Sequence, residues 1–256
     1  KYALAVQSGT SAIHVALKAA GVKENDRVIT PNYTCISNLS CISQCNAIPI
    51  IVEIENETLG LDYESVKKAI KLHKPKVLQL VHVYGYPARD TKNIINLCKK
   101  NKIIVIEDSS EAFGSSINNK KIGTFGHINV TSIRSEKMIG VGEGGILSFE
   151  SKNLYEKAKL IASRHAPFRR GKDPYWKKYF SNGEGYNYLM PHLLGAVARG
   201  QIETFKNKML IKKIFVGKTY RKISKKNKIL MTQSIPKNFK PVFWLNSIYF
   251  KDLNKK

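Results

Sequence analysis

Ser132-Ile133-Arg134-Ser135-Glu136-Lys137-Met138-Ile139-Gly140-Val141-Gly142-Glu143-Gly144-Gly145 sets a lone lysine five residues after a serine and follows it with four glycines around one acid. Glycines at that density let the backbone turn tightly and close on a side chain, so the run reads as a lysine held in a backbone pocket. The plainer alternative is a solvated lysine in a loop between two strands. Directly outside the run lie two short apolar stretches, Ile128 to Ser132 and Gly145 to Phe149.

Further out, similar Val- and Ile-rich runs recur at Ala3 to Val6, Val28 to Thr30, Ile48 to Val52, Val77 to Val81 and Ile103 to Ile106. Between several of them the apolar spacing becomes helical, at Ser11 to Ala20, Tyr63 to Leu72, Thr91 to Asn101 and Leu154 to Ser163. Strands alternating with helices predict an α/β fold, a mostly parallel sheet sandwiched by helices. From about Ala166 the texture changes. Pro167 to Tyr188 is aromatic, glycine-rich and basic, and reads as a functional loop or interface segment. A basic helical stretch from Leu193 to about Lys226 follows, and Pro236 to Tyr249 reads as the first strand of a second domain. The expected organisation is a large α/β domain over 1–165, a loop and connecting helix over 166–230, and the beginning of a small, truncated C-terminal domain over 231–256.

The chain of 256 residues carries 43 basic and 19 acidic side chains, a net charge of +24, enough to attract any polyanion from nucleic acid to a nucleotide sugar. No zinc-finger spacing, basic zipper or RNA-binding aromatic signature accompanies the charge, so a basic nucleic-acid-binding scaffold is a rival without a motif. Cys35, Cys41, Cys45 and Cys98 have no metal-ligand spacing, which predicts reduced thiols, a cytoplasmic setting and no metal. No apolar stretch has the length of a membrane span. The first residue is Lys1, and the chain reads as a segment of a longer protein.

Two further segments bear on Lys137. Asp108 follows the apolar run Ile103 to Ile106, at the strand end where ligands bind in open α/β sheets. A carboxylate there could keep the pyridine nitrogen of pyridoxal phosphate (PLP) protonated, and it could equally cap the turn that begins at Ser109. Ser8-Gly9-Thr10-Ser11 lies between a strand and a helix, where free amides and hydroxyls suit a phosphate or merely an N-cap. A phosphate seat, a ring-nitrogen partner and a lysine then come in one chain order.

In that conjunction the sequence resembles the DegT/StrS-type PLP-dependent sugar aminotransferases of fold-type I, in a perosamine synthase-like branch. The segments that carry the resemblance are Ser8 to Ala12, Val105 to Gly114, Gly123-Thr124-Phe125-Gly126, the Lys137 run and Gly185-Tyr186-Asn187-Tyr188. The resemblance implies that Lys137 carries the cofactor and that Asp108 meets the pyridine nitrogen. It places Gly9, Thr10, Ser11 and Ser132 around the phosphate and Glu111 near the ring hydroxyl. It has Asn187 reaching a neighbouring subunit's phosphate in a homodimer with shared sites. Cys35 stands where relatives carry the aromatic residue that stacks on the ring, so that Cys35 or nearby Tyr33 would cover it. Leu189, Arg134 and Glu136 also depart from the pattern.

The implied reaction transfers an amino group, from glutamate, to a keto-deoxy sugar on a nucleoside diphosphate, with the pyridoxamine form of the cofactor alternating with PLP. Within the same fold the rival is a PLP-dependent sugar dehydratase, in which the resemblance leads one to expect histidine in place of Lys137. A lysine working as a base near neutrality needs its charged form disfavoured, and burial beside Arg134 or another cation would do that. Arg164, Arg169 and Arg170 are candidate cations for the sugar nucleotide. His82 reads as structural, and His14 and His73 as helix residues without partners.

Overall fold

The computed structural model describes residues 2–166, 172, 174, 176, 179–227 and 229–250. Nine strands run through the first part of the chain: β1 (Tyr2–Val6), β2 (Arg27–Pro31), β3 (Ile48–Val52), β4 (Val77–Val81), β5 (Ile104–Asp108), β6 (Ser116–Ile117), β7 (Lys120–Lys121), β8 (Ile128–Ser132) and β9 (Gly145–Phe149). Seven of them form one sheet in the order β1-β9-β8-β5-β4-β2-β3. The contacts of β2 with β3 and β4, of β4 with β5 and of β5 with β8 are parallel, whereas β9 pairs antiparallel with both β1 and β8. The expected α/β architecture is therefore present.

Helices cover both faces. On one side lie α1 (Gly9–Ala19), α2 (Ile36–Gln44) and α5 (Lys152–Ala162), on the other α3 (Tyr63–His73) and α4 (Thr91–Lys100). The sheet serves both layers by strand alternation: in β4, Val77 joins the first core and Leu78 and Leu80 the second, and in β5 Ile106 and Val105 divide likewise. Burial on both faces is why these strands read as unbroken apolar runs. The helices start on side-chain caps, with Ser8 Oγ accepting from Ser11 N at 3.0 Å, Asp62 Oδ2 from Ser65 N at 2.8 Å and Ser151 Oγ from Leu154 N at 3.3 Å. The sequence pattern does not show α2, because Ser37, Ser40 and Ser43 dilute its apolar face down to Cys41 and Ile42.

The basic stretch is α6 (His192–Thr204) and α7 (Ile211–Lys226), joined by a π-helical turn at Lys206–Leu210. The single strand expected over Pro236 to Tyr249 is not there. Its place is taken by the short β11 (Phe239–Lys240), which pairs with β6, and by β12 (Tyr249–Phe250), which pairs with β10 (Leu230–Met231). Between β11 and β12 the chain turns inward, and Val242 and Trp244 are buried in one cluster with Ile133, Met138 and Ile139 from the lysine loop. The preference of this segment for apolar contact overrides its strand-like pattern.

Candidate functional site

The carboxyl ends of β2, β4, β5 and β8 open, with the start of α1, into a pocket of about 520 Å³. Gly9, Thr10, Cys35, Asp108, Glu111, Ser132 and Lys137 all line it. Ser11 and Asn187 do not: Ser11 is buried against its own cap, its hydroxyl 2.9 Å from Ser8 Oγ, and Asn187 is exposed and bridges to Ser163. Arg164 also lies off the pocket lining, and Arg169 and Arg170 fall outside the described residues.

At the start of α1, the amides of Gly9 and Thr10 are among those that helical bonding leaves without a partner. Gly9 packs so close to the end of β8 that a Cβ would lie 2.8 Å from Ser132 Cβ. Glycine thus lets a helix N-terminus and the Ser132 hydroxyl converge on one spot, a good seat for a dianion. Thr10 Oγ1 lies 3.0 Å from Ser37 Oγ, which brings the start of α2 to the same place.

Asp108, the last residue of β5, satisfies both readings of its sequence position. Its Oδ1 accepts from Ser110 N at 2.9 Å as a turn cap, and its Oδ2 accepts from Asn38 Nδ2 at 3.1 Å on the pocket side. The carboxylate is thereby fixed in direction. Its neighbour Glu107 points the other way and forms the frame. Glu107 accepts from the amides of Gly123, Phe125 and Gly126 and from His82 Nε2 at 3.1 Å. His82 Nδ1 accepts from Ala88 N at 3.0 Å, which leaves Nε2 as the donor. Burial works against the charged form of Glu107, but the His82 bond and the amides outweigh it and hold the carboxyl below its ordinary range.

The loop that carries Lys137 joins the antiparallel pair β8 and β9, so the plain reading of a glycine-rich turn between strands is correct as to backbone. It is also a lysine holder. Ile133, Met138 and Ile139 are buried anchors, Ser135 N donates to Gly142 O at 3.0 Å, and Gly140 is so close to Ser135 that a Cβ would lie 2.4 Å from its carbonyl oxygen. Lys137 Nζ is 3.6 Å from Glu111 Oε1 and 3.8 Å from the centroid of the Trp244 ring. Arg134 is not the cation beside it. Its side chain is 60% exposed and pairs with Glu136 at 3.5 Å and Glu143 at 3.0 Å.

Glu111 Oε2 accepts from Tyr84 N at 2.8 Å, and burial pushes this carboxyl up despite that bond and the nearby ammonium. Tyr84 sits in the left-handed region at φ 57° and shares a hydrogen bond with the Tyr33 hydroxyl, the main reason that its phenol is pushed up to about 12. Asn38, Ser37 and Trp244 carry no local sequence signal for the site. His14 is likewise partnered, with Nδ1 3.2 Å from the Tyr188 hydroxyl and its ring against Tyr186.

The model of the DegT/DnrJ/EryC1/StrS aminotransferase family matches residues 1–255. The chain is 34% identical over 221 residues to GDP-perosamine synthase of Vibrio cholerae, across 86% of this chain and 58% of that protein. It is 33% identical over 248 residues to the GDP-perosamine synthase of Escherichia coli O157:H7, across 97% and 65%. It spans less than two thirds of the length of either. In three dimensions it matches the E. coli GDP-4-keto-6-deoxy-D-mannose-3-dehydratase with bound hydrated PLP at a TM-score of 0.88 and 23% identity, over 100% of this chain and 69% of that one. The chain belongs to the DegT/DnrJ/EryC1/StrS aminotransferase family.

Proposed function

We propose that this chain forms the cofactor-binding part of a PLP-dependent aminotransferase that moves an amino group from glutamate to a nucleotide-linked keto-deoxy sugar. The product serves the biosynthesis of surface polysaccharide, and the enzyme works in the cytoplasm as a homodimer. One observation carries the reading: Lys137, Asp108, Glu111, Ser132, Gly9 and Thr10, drawn from separate stretches of chain, line a single pocket.

The donor set fits the cofactor. The helix N-terminus at Gly9 and Thr10, with Ser132, suits the phosphate, and the fixed Asp108 carboxylate suits a protonated ring nitrogen. Glu111 would lie near the ring hydroxyl, and Cys35 or Tyr33 would cover the ring. Bound there, PLP supplies the electron sink for the charge left on a substrate carbon when its proton departs. Lys137 holds and moves that proton at Nζ, and the half-buried Glu111 carboxylate keeps the amine directed into the pocket. Asn187, exposed and away from this pocket, would be free to reach a neighbouring subunit's phosphate in the homodimer.

Dehydratase chemistry on the same fold is the rival, and Lys137, in place of the histidine expected there, favours amine transfer. The names of the relatives make GDP-4-keto-6-deoxy-D-mannose the first sugar to test. Purified chain is expected to turn yellow with PLP and to release 2-oxoglutarate from glutamate when a keto-sugar nucleotide is present. Lys137→Ala should lose both the colour and the turnover while keeping its circular dichroism. Full activity in Lys137→Ala, or no colour in the unaltered chain, defeats the reading.

A further inference from the structure

Trp244 lies outside every stretch that the sequence ties to the pocket, and yet its ring is the surface on which the Lys137 ammonium rests, 3.8 Å from the centroid. Several contacts deliver it there. Val242 N donates to Gly85 O at 3.0 Å, Leu245 N to Tyr84 O at 3.3 Å, and Lys213 Nζ on α7 to Trp244 O at 2.9 Å. Gly85 has φ +95°, and a Cβ there would lie 2.5 Å from Trp244 N, so glycine is what lets the two segments close on each other. The indole completes the grip, with Nε1 donating to Glu136 O, next to Lys137, at 2.7 Å.

Trp244 is 7% exposed, its backbone is tied to the 83–85 turn and to α7, and its indole is tied to the lysine loop, so the ring is fixed beside Lys137. An indole face attracts a cation and has no comparable attraction for a neutral amine. We propose that Trp244 is a positioning residue for Lys137, seating the free ε-ammonium on its ring beside Glu111 and so holding the protonated form in place. The value of this to the reaction rests on Lys137 being the group that takes up the substrate proton.

The test uses the cofactor-free chain, so that it stands apart from the aminotransferase reading. Lys137 is acylated with an amine reagent at neutral pH and its modification is followed by peptide mass spectrometry, with exposed Lys68 as internal control. In Trp244→Leu the rate at Lys137 should rise about threefold to tenfold, because its ammonium is no longer held on the ring. Trp244→Phe, which keeps an aromatic face, should show a smaller gain, and Lys68 should not change. An equal gain in Trp244→Phe would mean only better access, and no gain in Trp244→Leu would mean no seat; either overturns the proposal.

If Trp244→Leu does not fold, the unaltered chain still decides. Its tryptophan emission at neutral pH should differ from that of Lys137→Met, in which no cation lies on the Trp244 ring, and identical spectra would overturn the proposal. Failure to bind PLP, with these results intact, would refute the aminotransferase and leave the seat standing.

Discussion

At the scale of single residues, Glu107 shows how far the pocket depends on groups that never face it. Its carboxylate is fully buried and accepts from three loop amides and His82, which ties β5 to the loop before β8 and to the turn after β4. In Glu107→Gln one acceptor oxygen becomes a donor facing amide donors, so a loss of about 2–4 kcal/mol is expected in urea unfolding at pH 7. The pH dependence follows from the lowered pKa in the folded state. Its stabilisation is complete above the ordinary glutamate value of about 4.3 and is lost as the pH falls through the lower folded value. The unaltered chain should therefore lose more stability on acidification than Glu107→Gln, and equal losses would show that another group controls acid unfolding. Adjacent Asp108 could be read from sequence because its strand end is a recognisable place. Trp244 could not, because it meets Glu136 from 108 positions away.

At the scale of elements, the β8–β9 loop separates two roles of glycine. Gly142 has φ +94° and no atom near its missing Cβ, so Gly142→Ala should cost about 1 kcal/mol of conformational strain and leave PLP binding in place. Gly140 is set by space, since its Cβ would meet Ser135 O at 2.4 Å, and Gly140→Ala should cost more than about 3 kcal/mol and abolish the yellow colour. Thermal unfolding and cofactor absorbance on the two variants check this; the reverse order would mean that the loop is not what presents Lys137. The glycines were legible as a tight turn, but which of them needs room and which needs torsional freedom depends on neighbours. The case of α2 is similar. Its few apolar residues hide it in the sequence, and packing of Cys41 and Ile42 against α1 and the sheet makes it a helix.

For the whole molecule, the charge of +24 is unevenly placed. No acidic residue occurs from Phe205 to Phe250, while the pocket lining holds Asp108, Glu111, Glu136 and Glu143 against Arg134 and Lys137. On the proposed function, an anionic sugar nucleotide would be drawn by the general basic field rather than by the walls of this pocket, and KM for it should rise several-fold from low salt to about 0.3 M with kcat little changed. A salt-independent KM would place the attracting cations in a desolvated site. Among the described residues no helix is long and apolar enough to cross a membrane. The sequence by itself determined the alternation of strands and helices, because strands buried on both faces must be apolar throughout, and it determined the chemical types at Lys137, Asp108 and Gly9. Only the tertiary structure decided that Arg134 turns to Glu136 and Glu143, and that Lys137 meets Glu111 and Trp244. Contacts between distant segments depend on the path of the chain through space, and no local period or spacing encodes that path.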